Sequence, residues 1–311
     1  MRAKLIHAAV GGGRRARVGG GRRARVGGVR FHRGMSDFTS SVSRAEAFVA
    51  LHVPGQPVLL PNAWDAASAR IVEQAGAAAI ATSSAAVAWS LGRADGNVMS
   101  RDEAVGAVAR IAAAVDLPVT ADVETGYGDG DDALATTVRA LIEAGAVGLN
   151  LEDSGGDPLW SIDEAAHRVQ VVRAAADAAG VPLYLNARTD VYLAEVGEPD
   201  GRFDETVRRA EAFLAAGANG IFVPGVADRD LIARLTSAIP APVNILVGPR
   251  SPSVADLAAA GVGRISTGSS LAASMFGMLR RTVTQLLATG DVGVLAGGIP
   301  YGDMNELFIG R

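Results

Sequence analysis

Cysteine is absent from all 311 residues, and lysine occurs once, at Lys4. The first absence excludes disulfides, thiolate metal sites and a cysteine nucleophile. The second excludes a lysine Schiff base, a pyridoxal anchor and a phosphate-loop lysine from the body of the chain. Aromatic residues make up only 5% and histidines number four. His52 and His167 fall inside helical patterns, and there is no Gly-x-Ser-x-Gly elbow, so no Ser-His-Asp constellation stands out. No charge-free apolar run reaches the roughly 18 residues that a membrane span needs. The expectation is a cytoplasmic protein with no membrane partner.

What is abundant is small and aliphatic: 49% of residues are hydrophobic and 38 are glycine. The length allows one large domain or two ordinary ones, with an ample core. Charge is unevenly placed. Residues 1–34 carry ten Arg/Lys and no acid, so of the 29 basic and 33 acidic residues, 19 and 33 remain in 35–311, a net of −14. The acidic body offers no footprint for nucleic acid. Within the basic tail, Gly11–Val18 (GGGRRARV) repeats at once as Gly19–Val26. Such low-complexity sequence is expected to be disordered. It reads either as an anion- or RNA-binding arm or leader, or as a segment outside the native protein, translation starting at Met35; the second reading is preferred.

From residue 41 helical and strand patterns alternate. Ser43-Arg44-Ala45-Glu46 reads as a capping box opening a first helix to about His52. Strands are predicted at 56–61, 77–82, 118–123, 147–151, 182–186, 220–223, 242–246 and 264–266. Helices are predicted at 65–75, 100–114 (capping box Ser100–Glu103), 131–144, 161–178, 204–216, 228–237, 254–260 and 270–288. Ala75-Gly76, Ala144-Gly145, Ala216-Gly217 and Ala260-Gly261 resemble left-handed C-caps. This regular β/α rhythm predicts an α/β fold, a closed (β/α)8 TIM-type barrel over 35–290, followed by a C-terminal extension at 291–311 whose apolar residues need a surface.

In such a barrel the chemistry sits where strands end. Asp122 and Glu124 precede the turn Gly126-Tyr127-Gly128, Glu152-Asp153 close the next apolar run, and Asp95 lies in the loop Leu91–Gly96. Several acids at one mouth repel one another unless a cation neutralises them. Asp122, Glu124, Glu152 and Asp95 are therefore candidate ligands for a hard divalent ion, Mg2+ or Mn2+, with one carboxylate direct and others through water. The bland alternative is that these acids cap helices or pair with Arg93 and Arg188, and Asp153 reads as a structural partner. Arg188 is placed to clamp a substrate carboxylate, or else to bridge Asp190 or Glu152. Ser83 and Ser84 offer amides and hydroxyls to an oxyanion, or turn chemistry. Tyr127 is a proton donor or a lid on its turn, and Asn244 a candidate substrate contact.

These segments, with Leu60–Asp65, Ala187–Asp190 and Gly261–Ser266, resemble the isocitrate lyase/phosphoenolpyruvate mutase superfamily over about residues 42–309. The resemblance implies a barrel whose last helix swaps with a neighbouring subunit in a homodimer or homotetramer. It implies Mg2+ held by Asp122, with Asp95, Glu124 and Glu152 reached largely through water. It implies a small oxo acid as substrate and enolate chemistry at a C–C or P–C bond, the metal acting as Lewis acid. Arg188 and the Ser83-Ser84 amides would hold carboxylate and enolate oxygen. The chain also departs from that pattern. Where lyases of the superfamily carry a Lys-Lys-Cys-Gly-His loop this chain has Ser154–Trp160, and where they carry a glutamate after strand 6 it has Gly225. The gating lysine and asparagine of the mutases are missing as well. A lyase or decarboxylase for a small 2-oxo or 2-hydroxy acid is the expectation, with water or Tyr127 giving the proton. A phosphonomutase, or a barrel that binds a metal-chelated acid without turnover, are the alternatives.

Overall fold

Nine short strands, all parallel, run round one cylinder in the order β1-β9-β8-β7-β6-β5-β4-β3-β2. The computed structural model describes residues 35–155 and 158–309; the expectations for the 1–34 tail lie outside them. The strands are β1 (Val58–Leu60), β2 (Asn62–Ala63), β3 (Ile80–Thr82), β4 (Val119–Asp122), β5 (Ala146–Glu152), β6 (Tyr184–Arg188), β7 (Gly220–Phe222), β8 (Val243–Leu246) and β9 (Arg264–Ser266). β1 and β2 are halves of one barrel strand, separated at Pro61, which has no N–H for a ladder. β1 pairs with β9 and β2 with β3, so the two ends of the sheet meet and the (β/α)8 barrel closes.

Helices surround the cylinder: α1 (Met35–Ala50), α2 (Ala66–Gln74), α3 (Ser84–Ser90), α4 (Arg101–Ala114), α5 (Gly130–Ala144), α6 (Ile162–Ala178), α7 (Arg202–Ala215), α8 (Arg229–Ala238), α9 (Val254–Ala259), α10 (Ser270–Thr289) and α11 (Tyr301–Glu306). Local chemistry explains their limits. Ser100 and Glu103 form the reciprocal capping box of α4. α5 buries Leu134, Val138, Leu141 and Ile142 at helical spacing and stops at Gly145, whose φ of +107° suits a residue without Cβ. The box expected at Ser43–Glu46 does not start a helix, because α1 already begins at Met35. Ser41, Ala45 and Phe48 fall on one buried stripe that runs through the expected boundary. α3 also departs from expectation, since no helix is predicted between the strand at 77–82 and the helix at 100–114.

α1 closes the end of the barrel opposite the strand C-termini. Phe48 meets the ring of Tyr184 edge-on at 5.6 Å. A Cβ on Gly148 would come within 2.7 Å of the Phe48 ring, so the close approach requires glycine there. His52 stacks on Tyr184 at 3.7 Å, and its Nδ1–H donates to the Phe48 carbonyl at 2.8 Å. At the other end of the chain, Leu307 is buried and its carbonyl accepts from Arg70 Nε at 2.6 Å, whereas Leu295, Ile299 and Tyr301 of the extension stay exposed. No helix among the described residues is long and apolar enough to cross a membrane.

Burial, helped by the Arg264 charge, lowers the His52 pKa to about 3. The unfolded chain therefore takes up a proton near pH 6.5 that the folded chain refuses, and stability falls as pH drops from 6.5 toward 3. At pH 5 the loss from this one group is about 2 kcal/mol. Urea denaturation of the parent and of His52→Phe at pH 7 and 5 should show a smaller acid loss in the variant; equal losses would refute the assignment.

Candidate active site

Asp122 ends β4 with every nearby donor aimed at it. Its N–H donates to Thr82 Oγ1 at 2.9 Å, which sets the carboxylate at the mouth. Oδ2 accepts from the Ser84 amide (3.0 Å) and hydroxyl (2.7 Å), and Oδ1 from Asn150 Nδ2 (3.3 Å). The Ser83-Ser84 pair is thus already employed: Ser84 holds Asp122, and Ser83 is the N-cap of α3, its hydroxyl accepting from the Ala86 amide at 3.4 Å.

Glu124 sits two residues on in a left-handed conformation, φ +50°. Its carboxylate accepts from the amides of Gly96 (3.3 Å) and Asn97 (2.9 Å), which brings Asp95 beside it. Asn97 Oδ1 in turn accepts from the Thr125 amide and hydroxyl. Burial, with the charge of Asp95 adding to it, pushes Glu124 up to about 7 despite those amides. Glu152 ends β5 and accepts from Arg188 Nη1 at 2.5 Å and Ser154 Oγ at 2.7 Å. Burial outweighs Arg188, and with Asp122 and Asp190 nearby Glu152 rises to about 8.

Arg188, at the end of β6, also donates from Nε and Nη2 to the two oxygens of Asp190 at 2.6 and 3.0 Å. Burial alone would lower its pKa, but Glu152 and Asp190 overcome that and raise it. Three of its five N–H groups are used, leaving one on each terminal nitrogen for a ligand carboxylate. Arg93 turns elsewhere, to Glu103 at 2.9 Å. Asp153 lies behind the rim: it accepts from the Asp190 amide at 2.9 Å and from the buried Arg209 at 3.0 Å, while Arg209 also donates to the Trp160 carbonyl.

The structure therefore brings Asp95, Asp122, Glu124, Glu152 and Arg188 to one end of the barrel. Tyr127 lies beside these acids, lining a small cleft with Asp122, Ser84, Val87, Met99 and Leu141, and its buried hydroxyl has no protein partner. Burial first, then the surrounding carboxylates, push its pKa far up. Asn244 is not at the mouth: it is fully buried in β8, in register with Arg264 and bonded to Ser266. Sequence reasoning gave no part to Asn150, Asn186, Asn97 or Arg264. For Asn150, Asn186 and Arg264 the signal available was polar residues interrupting apolar strands at buried positions; Asn97, in an exposed loop, gave none.

The donors at this rim are all oxygen, which suits a hard cation. Among the described residues no three acids or histidines converge as direct ligands. A carboxylate offers about four lone-pair sites, and three of those on Asp122 are occupied, leaving one on Oδ1. Asp122 therefore keeps one acceptor position on Oδ1 that an ion could take.

The sequence model of the phosphoenolpyruvate phosphomutase family matches residues 48–287. A protein of Mycobacterium tuberculosis is 39% identical over 223 residues, covering 72% of this chain and 82% of that one. The 2-methylisocitrate lyase of Escherichia coli is 30% identical over 209 residues, 65% of this chain and 69% of the enzyme. Among solved structures, a Burkholderia cenocepacia protein provisionally described as a lyase or mutase superposes with a TM-score of 0.80 at 38% identity, over 87% of this chain and 97% of that one. A phosphonopyruvate hydrolase in complex with oxalate and Mg2+ superposes with a TM-score of 0.74 at 25% identity, over 85% and 93%.

The Asp153–Arg209 pair gives a direct test of how the rim is supported. Arg209→Met leaves Asp153 as a buried charge without its cation and should cost about 3–5 kcal/mol in urea denaturation. A loss below about 1 kcal/mol, the range of exposed pairs, would show that the pair carries no such weight.

Proposed function

Since this chain belongs to the phosphoenolpyruvate phosphomutase family, within a superfamily of lyases and mutases that act on small oxo acids, we propose that it is a Mg2+-dependent lyase that breaks a C–C bond, or decarboxylates, a small 2-oxo or 2-hydroxy acid through an enolate. The observation that carries this is the rim itself: an oxygen-only acid set around Asp122, with Arg188 holding two unused N–H groups beside it.

Asp122 would hold the ion directly, with Asp95, Glu124 and Glu152 reaching it through water. When bound, the ion supplies Lewis-acid stabilisation of negative charge on the substrate oxygens. Arg188 orients the substrate carboxylate with its two remaining N–H groups, and its tie to Glu152 and Asp190 fixes the plane of that fork. The Tyr127 hydroxyl is buried without a partner in a cleft it shares with Asp122 and Ser84 as well as Val87, Met99 and Leu141, and solvent is assigned the role of returning the proton.

Two departures narrow the chemistry, away from isocitrate-type cleavage and from phosphonate transfer. Gly225 stands where superfamily lyases carry a glutamate, and it has φ +87°; a Cβ there would meet the Leu193 backbone nitrogen at 2.8 Å, so no side chain projects from this point. In the loop after β5, a Cβ on Gly155 would collide with the Trp160 ring. That segment carries neither the lyase cysteine nor the lysine and asparagine of a phosphonomutase. The phosphonomutase reading is thereby the weaker enzymatic alternative, and a non-catalytic acid-binding barrel is the remaining one.

Oxaloacetate, 2-methylisocitrate, 2,3-dimethylmalate and phosphonopyruvate should be screened with Mg2+, with EDTA, and with Asp122→Ala. Turnover of an oxo or hydroxy dicarboxylate should be abolished by EDTA and fall at least about 1,000-fold in the variant, the scale of losing a principal electrostatic group. Turnover that survives both would overturn the metal assignment; turnover of phosphonopyruvate alone would favour the mutase class; binding without turnover of any of the four would favour the non-catalytic barrel.

A second copy of the chain is the proposed partner. Of the twenty residues of α10 only Ala272 is buried, while Leu271, Met275, Met278, Leu279, Val283 and Leu287 form one exposed apolar stripe. Phe276 at its start packs near Trp64 and Trp89. Sedimentation equilibrium should give a dimer or tetramer, and Met278→Glu/Leu279→Glu should shift it to monomer with the barrel still folded; a monomeric parent would refute the assignment.

A further inference from the structure

Among the described residues Arg264 is the largest fully buried side chain, and its Nε and Nη1 have no hydrogen-bond partner. It stands on β9. The strand order puts β9 four places from β5 in either direction round the closed cylinder, so the two strands face each other across the axis. The Arg264 guanidinium spans that interior: Nη2 donates to Asn150 Oδ1 on β5 at 3.1 Å. Beneath it the ring of Phe48 lies 5.9 Å from the guanidinium carbon. Desolvation lowers its pKa only to about 10, so it remains a cation at neutral pH.

The hydrogen bonds form a directed chain. Asn150 Oδ1 accepts from Arg264 Nη2 and from Asn186 Nδ2 (2.9 Å), and Asn150 Nδ2 donates to Asp122 Oδ1 (3.3 Å). An asparagine can turn its amide over, exchanging oxygen and nitrogen at little cost. Both Asn150 and Asn186 have that freedom. Arg264 does not, since a guanidinium only donates. It therefore compels the Asn150 oxygen to face the barrel floor and the Asn150 N–H to face Asp122.

We propose that Arg264 is a positioning residue for the ion-binding carboxylate, acting through Asn150 to fix Asp122 so that a single Oδ1 lone pair points into the mouth. This rests on the metal-dependent reading of the site. A purely structural polar core is the competing account, and a purely electrostatic one makes the opposite prediction. Removing a buried cation near a metal site strengthens cation binding by Coulomb's law, whereas releasing the Asn150 amide weakens it.

The test is Mn2+ alone, without substrate, titrated by electron paramagnetic resonance into the parent, Arg264→Met, Arg264→Lys and Asp122→Ala, with circular dichroism and melting temperature as checks on folding. Expected are at least tenfold weaker Mn2+ binding by Arg264→Met, partial recovery to within threefold of the parent by Arg264→Lys, and none by Asp122→Ala. A folded Arg264→Met that binds Mn2+ as tightly as the parent, or more tightly, overturns the inference while leaving the metal site intact. A parent that binds no better than Asp122→Ala overturns the metal reading and this inference with it. If Arg264→Met does not fold, Asn150→Ala, which removes the donor to Asp122 and keeps Arg264, must show the tenfold loss; parent-like affinity there overturns the proposal.

Discussion

Negative charge gathered at one end of a closed barrel is the constraint around which the rest is built. Asp95, Asp122, Glu124, Glu152, Asp153 and Asp190 lie at or just behind one rim, most of them buried, and an uncompensated buried carboxylate costs several kcal/mol. Asp95 is exposed to solvent, and each of the other five has its own remedy. Two loop amides serve Glu124, a serine amide and hydroxyl serve Asp122, Arg188 lies between Glu152 and Asp190, and Arg209 holds Asp153. The remedies are incomplete, since Glu124 and Glu152 are still pushed up to about 7 and about 8, burial being the main cause. Against these carboxylates the rim sets two guanidiniums, Arg188 and Arg209.

Holding that rim also requires strained backbone. Glu124, Tyr127 and Asn97 all have φ between +50° and +60°, in two segments that bond to each other. Non-glycine residues in this region cost of order 1–3 kcal/mol each and persist only where the surroundings over-determine them. Here the over-determination comes from outside the barrel. Arg101 on α4 donates to the Tyr127 carbonyl, and Arg168 on α6 donates to the Thr125 carbonyl while lying 4.1 Å over the Trp160 ring. The helical layer thus fixes the turn that carries one acid, and that turn's glutamate fixes the loop that carries another.

Much of this was legible in the sequence because barrel geometry converts strand ends into neighbours. Asp122, Glu124, Glu152 and Arg188 could be placed together once their strands were counted, and the structure puts them on one rim. The capping serines and the Ala-Gly helix ends marked boundaries by local rules that need no tertiary information. What was not legible depended on tertiary context. Ser83-Ser84 has the same composition whether it ends in a turn or starts a helix, and only the contact with Asp122 decides it. Asn244 reads in the sequence as a substrate contact, but it lies within β8, fully buried and in register with Arg264. Ser43–Glu46 carries the letters of a cap inside a helix that began upstream, because a motif cannot report whether its first residue is already helical.

The floor and the rim point to a division of labour that bears on which bond such a site can break. The electrostatic apparatus is intact: acids, a guanidinium fork, and a buried cation beneath. The side chains that move protons in superfamily lyases are missing, with Gly225 hemmed in by the Leu193 backbone and no cysteine in the chain. Retro-aldol cleavage of a 2-hydroxy acid needs a base to take the hydroxyl proton as the C–C bond breaks. Decarboxylation of a 3-carboxy-2-oxo acid needs none: the bonding pair moves into the enolate as carbon dioxide leaves, and water can return the proton afterwards. Within the proposed class, a site that keeps this charge stabilisation but lacks the cysteine and the glutamate of superfamily lyases is therefore better matched to loss of carbon dioxide than to aldol-type scission.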